Sequence, residues 1–256
     1  MNRIDQTFQE LKKAGRKGFV GYLTAGDPDM AGSEANIRVA LQSGLDVLEI
    51  GVPFSDPTAD GPVIQAAGQR ALAAGTTVRG ILDMVRRLRR DFRQPIVLFG
   101  YANPFFSYGY EKLCADAAAA GVDGLLVVDL PFEEWGELKP HAEKSGLHLI
   151  PLIAPTTPME RAAAITGQSG GFVYYIMVKG VTGARDKVAE DAAEHVAALR
   201  HCTKLPIAAG FGVSNGRQAA DAAAKADAVV VGSALVQAAH EGRLKALVTE
   251  IAAFLR

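Results

Sequence analysis

The chain has 256 residues, of which 49% are hydrophobic, so it is long enough and apolar enough to bury a large core. Its 27 lysine and arginine residues against 28 aspartate and glutamate residues give a formal net charge of -1, which offers no electrostatic case for binding nucleic acid or a membrane surface. Two distant cysteines without CxxC spacing indicate neither a disulfide framework nor a zinc site, and with no signal-peptide or membrane-helix pattern we expect a cytoplasmic protein.

Short apolar runs typical of β-strands alternate along the chain with longer stretches of helical spacing. In those stretches apolar side chains recur at intervals of three and four residues, as at Ile81, Val85 and Leu88. Glycines stand where helices must end before the next run, as at Gly44 and Gly121. The predicted strands are residues 19–23, 47–50, 96–99, 124–128, 147–150, 172–176, 206–209 and 228–231.

Eight predicted strands separated by helical segments favour a closed barrel. Strands joined through helices run parallel, because parallel pairing needs long crossover connections. An open doubly wound sheet is the alternative, but eight units without a break in composition favour closure. We therefore predict an α/β fold, a single (β/α)₈ TIM barrel over residues 1–256, with an extra N-terminal helix. In such barrels the functional residues lie at the C-terminal ends of the strands.

Two local patterns carry further expectations about helices. The sequence Thr-Pro-Met-Glu at residues 157–160 has the spacing of a capping box, with proline at the first helical position. The basic run at residues 86–90 lies in a helical pattern, and we interpret it as a solvated helix face rather than a phosphate-binding patch.

Glu49 is the first candidate for chemistry. Side chains alternate along the second predicted strand, which groups Leu48 with Ile50 on one face and Glu49 with Gly51 on the other. If the larger apolar pair faces the helices, Glu49 points into the barrel. A carboxyl buried there has a raised pKa and can act as a general acid near neutral pH. The alternative is an inward glutamate held by a structural salt bridge, although no basic residue lies nearby in the sequence.

Two aspartates follow in the long, turn-rich segment after this strand. Asp60 precedes Gly61 and Pro62, and on spacing alone an N-cap of the next helix and a catalytic carboxylate are equally consistent with it. Asp56 precedes Pro57, and we interpret it first as a turn former.

Glycine turns follow the seventh and eighth predicted strands. Gly210 and Gly212 precede one helix, and Gly232 with Ser233 opens the next. Backbone N–H groups from two such turns can converge on an anion, at the place where barrels usually bind phosphate. Tight turns alone are the alternative. A dinucleotide-binding fingerprint is disfavoured, because the spacing is GxGxxxG and no acidic residue ends the next strand.

Two further segments near the expected barrel mouth attract attention. Residues 177–185, after the sixth predicted strand, are punctuated by glycines, and we interpret them as a lid, with a plain surface loop as the alternative. Phe54, Phe105 and Phe106 fit a docking surface and equally fit ordinary core or pocket aromatics.

Several of these motifs together resemble one enzyme family. The run Leu-Glu-Ile-Gly-Val-Pro-Phe-Ser-Asp-Pro at residues 48–57, followed by Ala-Asp-Gly-Pro at 59–62, resembles the signature of tryptophan synthase α subunits. Residues 180–185, 210–214 and 101–104 resemble further segments of that family, and the resemblance covers essentially the whole chain.

This resemblance implies a lyase of tryptophan biosynthesis that cleaves indole-3-glycerol phosphate to indole and glyceraldehyde 3-phosphate. It implies no cofactor in this chain. It also implies a partner β subunit, in an α2β2 assembly, that receives the indole and carries pyridoxal phosphate. The matching residues are the two acids Glu49 and Asp60; the substrate-contacting positions Tyr22, Tyr101, Tyr174 and Thr182; the phosphate-binding positions Gly183, Gly210, Gly212, Gly232 and Ser233; and Asp56 at the β-subunit interface.

The sequence departs from the family pattern at three positions. Met177 and Lys179 replace small hydroxyl-bearing residues, and Thr58 stands where an apolar residue is commoner. These departures bear on lid closure and on signalling between subunits rather than on the chemistry.

Three other functions remain as alternatives. One is a standalone lyase that releases indole, and another is a different phosphate-binding barrel, an isomerase or aldolase. A Schiff-base aldolase is disfavoured, because Lys179 is the only lysine near a predicted strand end and lies in a loop. The third is an inactive barrel kept as a binding subunit, against which both acids argue.

Overall fold

The computed structural model describes residues 1–176, 185–210 and 212–256, with side chains described throughout these ranges except at 185–193. This part of the chain contains nine strands, all parallel to their neighbours in one sheet. They are β1 (Gly18–Thr24), β2 (Val47–Gly51), β3 (Ile96–Gly100), β4 (Gly124–Val127), β5 (His148–Leu149), β6 (Leu152–Ile153), β7 (Val173–Ile176), β8 (Ile207–Gly210) and β9 (Ala228–Val231).

The sheet curls until its two ends meet within one stretch of chain. Its order is β5-β4-β3-β2-β1-β9-β8-β7-β6, so the terminal strands β5 and β6 are consecutive in sequence. Between them the Ile150 N–H donates to the Leu125 carbonyl, and the Tyr174 N–H donates to the Pro151 carbonyl, both at 2.9 Å. The predicted strand 147–150 therefore contains β5, and a further short strand, β6, follows beyond Pro151, which has no N–H to donate. The other predicted strands, and the barrel of eight strand positions, are confirmed.

Helices precede, connect and follow the strands. They are α1 (Arg3–Lys13), α2 (Met30–Gln42), α3 (Pro62–Ala73), α4 (Val78–Leu88), α5 (Ala102–Tyr108), α6 (Tyr110–Ala120), a 3₁₀ helix (Phe132–Glu137), α7 (Lys139–Lys144), α8 (Met159–Thr166), α9 (Arg185–Cys202), α10 (Gly216–Ala223), α11 (Ser233–His240) and α12 (Leu244–Phe254). In the described ranges none of these helices is long and apolar enough to cross a membrane.

The apolar core has two layers, one inside the barrel and one between the sheet and the helices. Val47 belongs to the inner cluster, whereas Leu48 and Ile50 belong to the outer one. Strand alternation then turns Glu49 inward, as predicted. The predicted N-terminal helix is α1, whose apolar residues Ile4, Phe8 and Leu11 belong to the inner cluster.

Two predictions about helices were wrong in part. The capping box at residues 157–160 does not form: α8 begins at Met159 without a side-chain cap, and the Thr157 hydroxyl instead accepts a hydrogen bond from the Ala154 N–H at 3.2 Å. In the basic run, Arg86 and Arg87 are exposed as expected, but Arg89 is half-buried and donates to the Gly121 carbonyl at 2.7 Å. A local hydrogen bond decides the first outcome, and a partner 32 residues away decides the second.

Candidate active site

The predicted functional residues gather at the C-terminal ends of β1, β2, β3, β7, β8 and β9. Parallel pairing places Tyr22 beside Glu49 and Thr24 beside Gly51 on β1 and β2. The cleft is therefore built in layers along the barrel axis, with Glu49 one layer below the mouth.

Glu49 is a buried carboxyl without a partner. Its side chain is 0% exposed, and neither carboxyl oxygen has a hydrogen-bond partner in the described part of the chain. No cation in that part pairs with it, so the alternative of a structural salt bridge is wrong for these residues. Burial raises the pKa of Glu49 to about 8, because a charge there would lose its hydration. The carboxyl is thus mainly protonated at neutral pH.

Asp60 lies in the loop before α3 and faces Tyr101. The N-cap of α3 is Gly61, and no side chain caps the helix, so the N-cap alternative for Asp60 is wrong. The Tyr101 side chain hydrogen-bonds Asp60, and its hydroxyl accepts from the Ala59 N–H at 3.0 Å. Burial raises the pKa of Asp60, while the bond from Tyr101 opposes this shift. Tyr101 therefore holds the loop that carries the second acid.

A row of three aromatic rings crosses the cleft beside Glu49. The Tyr22 and Phe99 ring centroids are 5.2 Å apart, nearly edge to face, and the Phe99 and Tyr174 centroids are 6.1 Å apart. Burial raises the pKa of both tyrosines, and the charge of Glu49 adds to the shift in each. The two phenols thus stay protonated at neutral pH.

Two glycines leave space for the tyrosine hydroxyls. A β-carbon at Gly51 would overlap the Tyr22 hydroxyl, and one at Gly210 would lie 3.3 Å from the Tyr174 hydroxyl. Glycine fits these positions because a tyrosine ring from a neighbouring strand lies where a side chain would be. Neither glycine has a positive φ. Gly210 thus lies next to Tyr174 in the cleft.

The predicted anion site has one open helix terminus. α11 begins at Ser233 without a side-chain cap, so its first backbone N–H groups remain available. At α10 the Asn215 side chain caps the helix, and the Gly216 N–H donates to Glu250 at 2.8 Å. Of the two helix N-termini predicted to bind the anion, the one at α11, preceded by Gly232, is therefore open, and the one at α10 is capped. Gly212, after the undescribed residue 211, has a φ of 64°.

The remaining predicted positions lie at the rim or outside the described ranges. Asp56 is exposed in the loop after β2. Thr182, Gly183 and the predicted lid at 177–185 lie in the undescribed residues 177–184 and in 185, whose side chain is not described. Phe105 is fully buried, whereas Phe106 is 63% exposed, so the two phenylalanines divide between core and surface.

Two polar residues of the site were not predicted. Thr24 is 4% exposed, and its hydroxyl donates to the Tyr22 hydroxyl at 3.5 Å. Asp129 accepts a hydrogen bond from the Ala102 N–H at 2.7 Å and so fixes the backbone next to Tyr101. Strand alternation could have found Thr24, which stands two residues after Tyr22. Asp129 carried no such signal, because its partner is 27 residues away.

The arrangement suits acid–base chemistry on an aromatic substrate. It combines a protonated carboxyl at Glu49, a second carboxyl at Asp60, aromatic walls and a helix terminus for an anion. Within residues 1–176, 185–210 and 212–256, no group of three or more histidine, cysteine, aspartate or glutamate side chains could hold a metal ion.

Known proteins share this sequence and this fold. The family model for the tryptophan synthase alpha chain matches residues 8–254. The chain is 51% identical over 255 residues to the tryptophan synthase alpha chain of Geobacter sulfurreducens, covering 100% of this chain and 97% of that protein. It is 50% identical over 259 residues to the corresponding chain of Pelobacter propionicus, again covering 100% and 97%.

Solved structures of tryptophan synthase chains have the same fold. The crystal structure of Mycobacterium tuberculosis tryptophan synthase in its aminoacrylate-bound form has a chain that matches with a TM-score of 0.92 and 36% identity, covering 100% of both chains. Tryptophan synthase subunit alpha from Legionella pneumophila matches with a TM-score of 0.91 and 37% identity, covering 100% of this chain and 98% of that one.

Proposed function

The chain belongs to the tryptophan synthase α-chain family, and we propose that Glu49 and Asp60 carry its chemistry. As the α subunit of tryptophan synthase it is a lyase that cleaves indole-3-glycerol phosphate to indole and glyceraldehyde 3-phosphate. The observation that carries the assignment of the acid is the Glu49 carboxyl, fully buried and without a partner. We also propose that residues 1–256 form one catalytic domain.

Glu49 acts twice in this proposal. Indole is a poor leaving group until its C3 atom is protonated, so a neutral acid must first give C3 a proton. With a pKa of about 8, Glu49 holds that proton at neutral pH. The resulting carboxylate then takes the proton of the hydroxyl on the adjacent glycerol carbon. The carbon–carbon bond breaks, its electron pair returns to the indole ring, and the hydroxyl-bearing carbon becomes the aldehyde.

Asp60 stabilises the charge that forms on the ring. Protonation at C3 places positive charge near the indole nitrogen, and an ionised Asp60 accepts a hydrogen bond from the indole N–H. Tyr101 supports this role because it bonds both the Asp60 side chain and the Ala59 N–H. The carboxylate is thereby fixed before the substrate arrives, which is what makes such a group effective.

The rest of the cleft binds the two ends of the substrate. The rings of Tyr22 and Tyr174, with Phe99 between them, offer faces and edges to the indole. At the phosphate end we propose the open N-terminus of α11 with Gly232 and Ser233, joined by Gly210 and Gly212. Thr182 and Gly183 belong to the proposal as lid residues because of the sequence motif alone.

A β subunit is the implied partner of an α chain of this family. We propose an α2β2 assembly in which the β subunit carries pyridoxal phosphate and receives the indole; the α-chain family needs no cofactor of its own. The exposed Phe106, 5.7 Å from the Tyr110 ring, and the exposed Asp56 place apolar and charged groups on the rim, as a docking surface requires. A cytoplasmic location remains a prediction.

The decisive variant for the catalytic proposal is Glu49→Gln. It keeps the size of the side chain and removes the transferable proton, so indole release should fall by about 10²–10⁴-fold, the usual contribution of one acid–base group. Binding of glyceraldehyde 3-phosphate should stay unchanged. Glu133→Gln, on the exposed 3₁₀ helix, is the matched control and should retain full turnover. Substantial turnover in Glu49→Gln would refute the assignment.

The partner proposal has a separate test. Indole release by the purified chain is measured with and without a β subunit. A slow rate that rises strongly with the partner supports the assembly. Fast release by the chain alone would instead identify a standalone lyase.

A further inference from the structure

The Tyr22 hydroxyl is a polar group in the cleft that the mechanism above leaves without a role. Tyr22 is 6% exposed, and its hydroxyl lies over Gly51, where a β-carbon would overlap it. Because Tyr22 pairs with Glu49 and Thr24 pairs with Gly51, the ring reaches from the layer of Glu49 to the layer above it. The hydroxyl therefore lies on the mouth side of the acid, where the reacting atoms must be.

Thr24 determines how the Tyr22 hydroxyl can form hydrogen bonds. The Thr24 hydroxyl donates to the Tyr22 oxygen at 3.5 Å, which occupies one lone pair. Burial and the carboxylates of Asp60 and Glu49 raise the pKa of the phenol, so it keeps its proton. Among the described residues, none but Thr24 hydrogen-bonds the phenol. Its own proton is thus free to be donated to a ligand, and leaving a buried donor unpaired is unfavourable.

We propose that the Tyr22 hydroxyl donates a hydrogen bond to the oxygen on the glycerol carbon attached to indole C3. This inference rests on the proposed function and adds a catalytic group to it. The indole offers only an N–H donor, which calls for an acceptor, and the phosphate belongs at α11. The glycerol oxygens are therefore the acceptors that remain.

The chemistry selects one of these oxygens. Glu49 must reach the hydroxyl on the carbon next to C3 to remove its proton, and Tyr22 is the cross-strand neighbour of Glu49. As that proton leaves, negative charge builds on the oxygen before it becomes the aldehyde oxygen. A fixed donor at this point stabilises the transition state more than the bound substrate.

Tyr22→Phe tests this role, because phenylalanine keeps the ring beside Phe99 and removes only the hydroxyl. The expected result is a loss of about 100-fold in kcat/KM for indole-3-glycerol phosphate, the usual effect of losing one such donor. An analogue with a plain propyl chain in place of the glycerol offers no oxygen to the phenol. Its Kd should be the same for the variant and the wild type, within about twofold.

Tyr175→Phe is the matched control. Tyr175 is the next residue along β7 from Tyr174, is fully buried in the outer core layer, and has a hydroxyl without a hydrogen-bond partner in the described ranges. This variant should turn over at the wild-type rate. Two results would overturn the inference: wild-type kcat/KM in Tyr22→Phe, or an affinity for the propyl analogue that falls as far as kcat/KM does. The second result would assign Tyr22 to packing.

Failure of this inference is distinguishable from failure of the proposed function. If the wild type releases indole and Glu49→Gln does not, a fully active Tyr22→Phe refutes only the role of the phenol. If the wild type releases no indole with a β subunit present, the proposed function itself falls.

Discussion

Two buried carboxyl groups lie at opposite ends of the barrel, and their surroundings differ completely. Glu49, near the C-terminal mouth, has no hydrogen-bond partner among the described residues. Asp123 precedes β4 at the N-terminal end and is 3% exposed. Its carboxylate accepts from Arg89 at 2.6 Å, from Arg3 at 2.8 Å and from the Ile96 N–H at 2.8 Å. One acid is left unsatisfied, and the other is fully bonded.

The difference separates a group kept for chemistry from a group kept for stability. A buried carboxyl without partners is unfavourable as an anion, so it stays protonated and available for proton transfer. A buried carboxylate that accepts hydrogen bonds from two guanidinium groups and a backbone N–H has its polar atoms satisfied, and these bonds tie separate segments together. Asp123 joins α1, the segment after α4 and the start of β3 in this way.

The largest expected effect follows from the pKa of Glu49. Its value rises from 4.5 to about 8 on folding, so between these pH values the folded chain holds a proton that the unfolded chain has lost. The stability due to this group is complete below pH 4.5 and disappears as pH rises through 8, at about 1.4 kcal/mol per pH unit. Glu49→Gln removes this dependence.

Urea unfolding of wild type and Glu49→Gln at pH 5 and pH 8 measures the effect. The variant should gain several kcal/mol relative to wild type between the two pH values, at about 1.4 kcal/mol per pH unit. All other titrating groups are common to both proteins and cancel. Parallel stability curves would show that Glu49 has an ordinary pKa in the folded state and would weaken its assignment as the acid.

The two carboxyls also differ in how far the sequence predicted them. Alternation of side chains in β2 was sufficient to predict that Glu49 is buried, because a short periodic strand offers only two faces. Asp123 was not singled out, since its partners Arg3 and Arg89 are 120 and 34 residues away. For the same reason Arg89 was wrongly expected to be solvated: only the folded chain brings Asp123 and Gly121 to it.

The loop before α3, which carries Asp60, also depends on a contact that the sequence does not show. Spacing could not decide between a cap and a catalytic role for Asp60, because an aspartate just before a helix is compatible with both. In the structure Gly61 is the N-cap, and the segment next to Asp60 is held by Tyr101, whose hydroxyl accepts from the Ala59 N–H across 42 residues of sequence. The split of the strand around Pro151 was readable in principle, since a proline interrupts a hydrogen-bond ladder.

A second prediction concerns Asp123, the carboxylate at the N-terminal end of the barrel. Asp123→Asn should destabilise the fold by about 3 kcal/mol, because it leaves the half-buried Arg89 without its counter-ion. Burial already lowers the pKa of Arg89 to about 10 with Asp123 in place. Indole release per folded molecule should stay at the wild-type level, since Asp123 lies at the end of the barrel away from the cleft.

Urea unfolding and a lyase assay on the same preparation test this prediction. Asp116→Asn is the control, because Asp116 is paired only on the surface of α6, with Lys112 and Tyr108, and should change stability far less. A loss of activity in folded Asp123→Asn would mean that the two ends of the barrel are coupled, and the division between chemistry and stability would fail.

The smallest expected effect comes from Arg3, the outer partner of Asp123. Its side chain is 42% exposed, so solvent screens its bond to Asp123, whereas Arg89 is only 11% exposed. Its charge also lowers the pKa of Arg89, so removing it relieves a repulsion while losing an attraction. Arg3→Ala should therefore cost about 1 kcal/mol. A double-mutant cycle with Asp123→Asn measures the coupling, and a loss from Arg3→Ala alone as large as that from Asp123→Asn would show that α1, rather than Arg89, holds the buried carboxylate.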